Sequence, residues 1–164
     1  MKIAIVSDTH DNIPNIDEGL RLIKEKGVGT IIHCGDVSAP SVIKYLSENF
    51  TGKTHLVNGN VDGDHQTIIN EFNLKNVSLY GEVGEIVLDK KKLAWTHHPD
   101  TAKALAASGK YGIVFYGHTH KPWEETINQT KMVNPGTLAG LFSKPTFAFY
   151  DTTNNTLELK ILYS

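Results

Sequence analysis

The chain has 164 residues, of which 40% are hydrophobic and 21% charged, and a formal net charge of −2. This length supports a buried core without disulfides, and the absence of any block of like charge argues against an extended nucleic-acid surface or an anionic membrane surface. The single cysteine, Cys34, excludes an internal disulfide and a cysteine-based zinc cluster. The apolar run at residues 3–6 is too short for a signal sequence or a membrane span. We expect one domain over residues 1–164, located in the cytoplasm.

The first sixty residues alternate apolar runs with amphipathic segments. Three short apolar runs, each followed by a polar turn, predict buried strands at residues 2–6, 30–33 and 55–57. Residues 13–26 carry apolar side chains at helical spacing, and Gly27 ends this pattern. A second helix is predicted up to Phe50, with Ser38 as its cap. The order β-α-β-α indicates an α/β fold.

The second half of the chain is predicted to consist mainly of strands. These cover residues 77–79, 83–88, 92–95, 112–116, 123–127, 131–133, 146–150 and 157–162. Asp89 and Lys90 predict a hairpin turn, which indicates antiparallel pairing, and residues 102–107 predict a short alanine-rich helix. The sequence contains no repeat, linker or low-complexity stretch that would mark a domain boundary.

Potential metal ligands follow the ends of several predicted strands. They are Asp8, His10, Asp36, Asn60, His97, His118 and His120. Side chains two apart on an extended segment point the same way, so the first two and the last two can each converge on one point. Strand ends aligned along one edge of a sheet would bring all the segments together. Taken singly, such residues are more often caps, turn residues or surface histidines, but their joint occurrence favours metal binding.

The donor types indicate which ions and which chemistry to expect. Nitrogen and oxygen donors without thiolate suit manganese, our first expectation, and also nickel, iron, zinc or cobalt. Seven donors exceed the needs of one tetrahedral ion, and Asp36 is the predicted bridge between two ions about 3.5–4 Å apart. Such a pair acidifies water and neutralises charge on phosphoryl oxygens. We therefore expect hydrolysis of a phosphoester P–O bond by a hydroxide that bridges two metals.

The order D-x-H, G-D, G-N, T-H and G-H-x-H resembles the calcineurin-like metallophosphoesterase superfamily. The stretches SDTHDN, NGNVD, GHTHKP and NPGT are similar to those of small single-domain bacterial and archaeal phosphodiesterases, and the match extends from Ile5 to Thr137. This resemblance implies a four-layer α-β-β-α sandwich of two mixed β-sheets flanked by helices. It further implies one metal held by Asp8, His10, Asp36 and His120, and another held by Asp36, Asn60, His97 and His118.

Two positions depart from the superfamily pattern. Val61 stands where a histidine often serves as general acid, so activated diesters are easier substrates to explain than alkyl monoesters. His98 follows His97 where relatives commonly have glycine and then histidine. His98 is a candidate proton donor, although adjacent strand residues face opposite sides. Asp36 and Asn60 are the other residues that we expect to act in catalysis.

The predicted function is that of a phosphodiesterase acting on a small phosphoester. The alternative is a catalytically weak or inactive protein of the same fold that binds another protein, as a eukaryotic trafficking subunit similar to this family does. The retention of all seven donors favours the enzyme. The resemblance also allows a homodimer, because many such proteins pair through a sheet edge or helices.

Several polar residues allow more than one interpretation. His33 either supports the metal ligands or simply packs in the core, and Asn12 either contacts phosphate or caps a helix. Arg21, the only arginine, lies within a predicted helix, so an arginine clamp for phosphate is not expected. His55 and His65 are expected to have no catalytic role.

Overall fold

The computed structural model describes residues 1–164 and contains four helices and eleven strands. The helices are α1 (Ile13–Glu25), α2 (Pro40–Asn49), α3 (His65–Glu71) and α4 (Pro99–Ala107). The strands are β1 (Lys2–Val6), β2 (Thr30–His33), β3 (Lys53–Leu56), β4 (Val77–Leu79), β5 (Val83–Leu88), β6 (Lys91–Thr96), β7 (Ile113–Phe115), β8 (Trp123–Ile127), β9 (Thr130–Asn134), β10 (Thr146–Asp151) and β11 (Thr156–Ile161). No helix combines the length and apolar composition needed to cross a lipid bilayer.

The strands form two mixed sheets. The first sheet has the order β11-β10-β1-β2-β3-β4, in which β1 to β4 run parallel and the other two strands pair antiparallel. The second has the order β5-β6-β7-β9-β8, with β6, β7 and β9 parallel and antiparallel strands at both edges. Within each parallel set, the carboxyl ends of the strands meet at one edge.

Three apolar clusters separate four layers. The first sheet packs against α1, α2 and α3 through side chains such as Ile23 and Ile43. The two sheets pack face to face around Trp95 and Phe115, and the second sheet packs on α4 through side chains that include Ala102. Because β1 is buried on both faces, its side chains are apolar at successive positions rather than alternating with polar ones. The fold is therefore the predicted four-layer α-β-β-α sandwich.

Helix α3 was not predicted from the sequence. It is only 7 residues long, and His65 is its one buried residue, so it lacks the apolar periodicity that marks α1. Its start is fixed instead by the side chain of Asp64, which accepts a hydrogen bond from the backbone N–H of Thr67 at 3.1 Å.

The predicted cap of α2 was wrong. Ala39, not Ser38, occupies the cap position, and no side chain caps this helix. Ser38 has a φ of 82°, and its backbone groups form hydrogen bonds with another loop. Its N–H donates to the side chain of Asp62 at 2.7 Å, and its carbonyl accepts from the N–H of Gly63 at 3.0 Å. Ser38 thus belongs to a contact between two loops.

Candidate metal centre

The seven predicted ligands lie in loops that follow the carboxyl ends of strands in both sheets. Asp8 and His10 follow β1, Asp36 follows β2 and Asn60 follows β3, whereas His97 follows β6, and His118 and His120 follow β7. The sequence pattern predicted that these strand ends lie along one edge of one sheet. The structure instead brings four residues of the first sheet against three of the second, across one end of the sandwich.

The backbone at these residues is not extended. Asp8, His10, Asp36, His118 and His120 all have a left-handed conformation, with φ between 39° and 69°. The side chains therefore converge through tight turns, not through the alternation of an extended segment that the sequence analysis assumed. A non-glycine residue in this region costs about 1–3 kcal/mol, and such residues cluster at functional sites, where the surrounding structure holds them.

One group of donors consists of Asp8, His10, Asp36 and His120, whose nearest donor atoms all lie within 4.8 Å of one another. Nε2 of His120 lies 3.1 Å from Oδ1 of Asp8 and 3.2 Å from Nε2 of His10. Nε2 of His10 lies 3.7 Å from Oδ2 of Asp36. Such donor separations fit ligands that surround one ion at about 2.1 Å from each donor.

A second group consists of Asp36, His97 and His118, again within 4.8 Å, and Asn60 joins it. Oδ1 of Asn60 lies 2.9 Å from Nε2 of His97 and 2.9 Å from Nδ1 of His118. Oδ2 of Asp36 lies 3.3 Å from Nε2 of His97. Asp36 is thus common to both groups, as expected for the predicted bridge.

His97 and His120 each use one ring nitrogen, Nδ1, in a hydrogen bond to a backbone carbonyl. This turns the other ring nitrogen, Nε2, toward carboxylate or amide oxygens of the site. Nδ1 of His97 donates to the carbonyl of Cys34 at 2.9 Å, and Nδ1 of His120 donates to the carbonyl of Leu141 at 3.2 Å. In a neutral imidazole, the remaining Nε2 is then an acceptor. Each Nε2 faces carboxylate or amide oxygens, and either a proton on the ring or a metal ion between the facing lone pairs satisfies this arrangement.

Asp8 supplies independent support for such an ion. Its Oδ2 accepts hydrogen bonds from the hydroxyl of Ser7 at 2.5 Å and the N–H of His118 at 3.1 Å. Its Oδ1 is buried and has no hydrogen-bond partner. An unpaired buried carboxylate oxygen is costly unless a cation satisfies it, so the residues present fit a metal ion.

Protons compete with metal ions for these positions. Burial lowers the pKa of His97, but the adjacent Asp36 outweighs this and raises it above the ordinary value. Burial likewise opposes ionisation of Asp36, yet the hydrogen bond with His97 gives its carboxyl a lowered pKa. The neighbouring Asp8 carboxylate raises the pKa of His10. Metal binding must therefore displace protons from these imidazoles.

Asp62, which lies in the NGNVD stretch, has a role that was not predicted from the sequence. Its side chain is 1% exposed, and Oδ2 accepts from the N–H groups of Asp36 at 3.0 Å and Gly59 at 2.7 Å. Oδ1 accepts from the N–H of Ser38 at 2.7 Å. Asp62 therefore ties the loop that carries Asp36 to the loop that carries Asn60. Its position in a turn with free backbone N–H groups is the only signal that sequence alone offered.

Two glycines allow the loops to approach closely. A Cβ at Gly59 would lie 2.0 Å from Oδ1 of Asp36, and a Cβ at Gly117 would lie 2.0 Å from Oγ of Ser7. These distances exclude any side chain at either position without displacement of a neighbouring loop.

His98 lies at the rim of the second group. It is exposed, occupies the cap position of α4, and its ring centroid is 5.0 Å from that of His97 and 5.1 Å from that of His118. Because strand β6 ends at Thr96, His98 lies outside the strand. The expectation that adjacent strand residues face opposite sides therefore does not apply to it. The ring is near the site but is not within either donor group.

The remaining polar residues have structural contacts. The side chain of Asn12 caps α1, and that of His33 contacts the hydroxyl of Thr9 and the N–H of Gly35 at 3.1 Å each. His65 is buried and contacts the carbonyl of Ser38. Arg21 is paired with two glutamates of its own helix, at a distance from the site in the fold.

The comparisons with known proteins agree with this geometry. A family model for the calcineurin-like phosphoesterase superfamily domain matches residues 1–155. The chain belongs to this superfamily. It is 35% identical over 159 residues to phosphodiesterase MJ0936 of Methanocaldococcus jannaschii, and the alignment covers 93% of each chain.

Solved structures extend the comparison. The structure of an archaeal phosphodiesterase matches this superfamily member with a TM-score of 0.89 and 31% identity, over 99% of this chain and 100% of that chain. Vacuolar Protein Sorting 29 from Cryptosporidium parvum matches with a TM-score of 0.67 and 18% identity, over 98% of this chain and 95% of that chain. The second likeness concerns the fold alone.

Proposed function

We propose that this protein is a phosphodiesterase that hydrolyses a P–O bond with two divalent cations. The observation that carries the proposal is the division of the donors into two groups that share Asp36, with an unpaired buried oxygen on Asp8. Manganese is our first choice of ion, and nickel, iron, zinc and cobalt suit the same donors. When bound, such a pair supplies a water of lowered pKa and positive charge for the phosphoryl oxygens.

The residues of the chain have distinct roles in this proposal. Asp8, His10, Asp36 and His120 hold one ion, and Asp36, Asn60, His97 and His118 hold the other. Oδ1 of Asn60 faces His97 and His118, so its Nδ2 amide is left to donate to a phosphoryl oxygen. The carbonyls of Cys34 and Leu141 hold the rings of His97 and His120 in the orientation that binding requires.

A diester fits the charge of the site better than a monoester does. A phosphodiester carries one negative charge and a monoester close to two, so a monoester needs more cationic contacts. The only arginine is paired with Glu18 and Glu25, and the exposed Val61 stands where a cationic histidine would otherwise act. No arginine is therefore available beside the ions to neutralise a second charge.

His98 is our candidate for the proton donor to the leaving group. Its exposed ring lies beside His118, at the rim where an ester oxygen would depart. His98→Gln is expected to slow hydrolysis of diesters with poor leaving groups by roughly 10²-fold, and that of nitrophenyl diesters much less, because nitrophenolate needs no proton. Rates measured across leaving groups of graded pKa test this. An equal loss for all leaving groups would exclude the role.

The decisive experiment is hydrolysis of bis-p-nitrophenyl phosphate with each candidate metal. We expect turnover with manganese and a loss of at least about 10²-fold in Asp36→Asn and His97→Ala protein, because each removes a donor. Asp64→Asn is the matched control, since this exposed carboxylate caps α3 and forms its hydrogen bonds at the start of that helix, outside both donor groups. A correctly folded protein with no turnover in any metal would support the protein-binding scaffold instead.

The remaining parts of the proposal concern the setting of the enzyme. We propose a small phosphoester as substrate, no extended nucleic-acid surface, one domain over residues 1–164 and a cytoplasmic location. The single cysteine, Cys34, leaves no internal disulfide, which suits a reducing compartment. The resemblance to the family allows a homodimer, and sedimentation velocity would test this.

A further inference from the structure

Phe142 is exposed without a structural reason. Its side chain is 98% exposed and its φ is 62°, a conformation that bulky residues rarely adopt. An aromatic side chain stabilises a fold by burial, and this one buries almost nothing. Neither core packing nor backbone preference therefore accounts for a phenylalanine at this position.

The ring lies beside the metal centre. Its centroid is 5.9 Å from that of His120, and the two ring planes are inclined by only 24°. The flanking residues bind the same histidine: the carbonyl of Leu141 accepts from its Nδ1 at 3.2 Å, and the hydroxyl of Ser143 donates to its carbonyl at 2.6 Å. The loop is thus fixed to a residue of the first donor group.

Holding His120 in place does not require this ring. The histidine is already oriented by the carbonyl of Leu141, and a phenylalanine that is 98% exposed contributes little contact to it. The outer face of the Phe142 ring is open to solvent at the edge of the site. A flat group on a bound phosphoester can pack there at the separation and angle that aromatic pairs prefer.

We propose that Phe142 is a substrate-binding residue that stacks on a planar aromatic ester group, so that the preferred substrates are aryl or nucleoside phosphodiesters. This inference rests on the proposed function. It adds the class of the ester group, which the metal ligands do not determine because they would hold the ions, and the ions would act only on the phosphoryl oxygens and the attacking water. Aryl and nucleoside esters share the aromatic ring and differ in its distance from phosphorus.

Two matched ligand pairs test the proposal by calorimetry on the manganese-loaded protein. Phenylphosphonate against methylphosphonate tests a ring next to phosphorus, and thymidine monophosphate against deoxyribose phosphate tests a ring one sugar away. In at least one pair, the wild type is expected to bind the aromatic member about five- to tenfold more tightly. Phe142→Ala should abolish this preference and leave affinity for the non-aromatic member within about twofold. Phe142→Tyr should keep the preference.

Phe72→Ala is the matched control, because Phe72 is 46% exposed at the end of α3 and packs under the ammonium of Lys44. It should leave the preference intact. Equal affinities within both pairs in the wild type, or an unchanged preference in Phe142→Ala protein, would overturn this inference alone if the diester is still hydrolysed. Failure to bind any of the four anions would overturn this inference, and it would overturn the proposed function as well only if the diester is not hydrolysed either. A dimer that Phe142→Ala converts to monomers without altering the preference would place the ring in a subunit interface.

Discussion

His33 is a buried titratable residue next to the loop that carries Asp36 in the candidate metal centre. Nδ1 accepts a hydrogen bond from the N–H of Gly35, which leaves Nε2 to donate to the hydroxyl of Thr9. This fixes the neutral tautomer, and burial lowers the pKa of the ring to about 4. A second proton would break the bond to Gly35, whose turn delivers Asp36. His33 therefore supports the site as well as packing in the core.

This residue makes folding stability depend on pH. An unfolded histidine titrates near pH 6.5, so between that value and about pH 4 the unfolded chain binds a proton that the folded protein excludes. The contribution of the neutral His33 ring to the free energy of unfolding is therefore complete above pH 6.5, and it is lost as the pH falls from 6.5 toward 4. Between pH 7 and 4.5, metal-free wild type should lose about 2 kcal/mol more unfolding free energy than His33→Gln protein. Urea titrations at both pH values measure this, and equal losses would contradict it.

At the scale of the elements, the site depends on the contact between two loops. The loop from β2 to α2 carries Asp36, and the loop from β3 to α3 carries Asn60. Three N–H groups from these loops bind the carboxylate of Asp62. Charge-assisted bonds of this kind are stronger than neutral ones, and here they set the separation of two proposed ligands.

Asp62→Asn is expected to weaken metal binding by about 10- to 100-fold, because an amide retains only one acceptor oxygen for the three N–H groups. Metal affinity measured by calorimetry tests this. The Asp64→Asn control, two residues away, makes the same substitution at a residue that caps α3, where asparagine caps equally well, and should leave metal affinity nearly unchanged. If both variants lost the same affinity, the loss of a nearby negative charge, and not the loop contact, would explain the effect.

At the scale of the whole molecule, the proposed ligands come from both sheets. Asp8, His10, Asp36 and Asn60 follow strands of one sheet, and the three remaining histidines follow strands of the other. A bound ion therefore connects two layers that otherwise meet through the apolar cluster around Trp95 and Phe115. Metal binding should stabilise the entire fold and not only the loops.

Removal of metal is expected to lower the melting temperature. With free manganese at about 100 times its dissociation constant, one site adds about 2.7 kcal/mol, which corresponds to a shift of about 5–10 °C at this chain length. Differential scanning calorimetry with chelator and with added manganese measures the shift. Asp36→Asn should greatly reduce it, whereas Asp64→Asn should retain it. A full shift in the Asp36 variant would contradict the proposed bridge.

Much of the fold could be predicted from the sequence. The runs at β1 and β2 are short and continuously apolar because both faces of these strands are buried, and their bounds agree with the prediction. Helix α1 was predicted to within one residue from its periodicity. Helix α3 was not predicted because it buries only one side chain and therefore shows no apolar periodicity. The predicted cap of α2 was wrong because the backbone N–H of Ser38 donates to the carboxylate of Asp62, which is distant in sequence.

The nitrogen and oxygen donors, their order and the strand ends that carry them are local properties of the chain, so all of them could be predicted from the sequence. The contribution of two sheets to the site, the position of His98 at its rim, and the proximity of Asp62 and Phe142 to it became known from the three-dimensional fold. These features depend on left-handed turns and on contacts between residues far apart in the chain, such as the 110 positions between His10 and His120. The packing of the layers imposes both the left-handed turns and the long-range contacts, and no local sequence pattern encodes either of them.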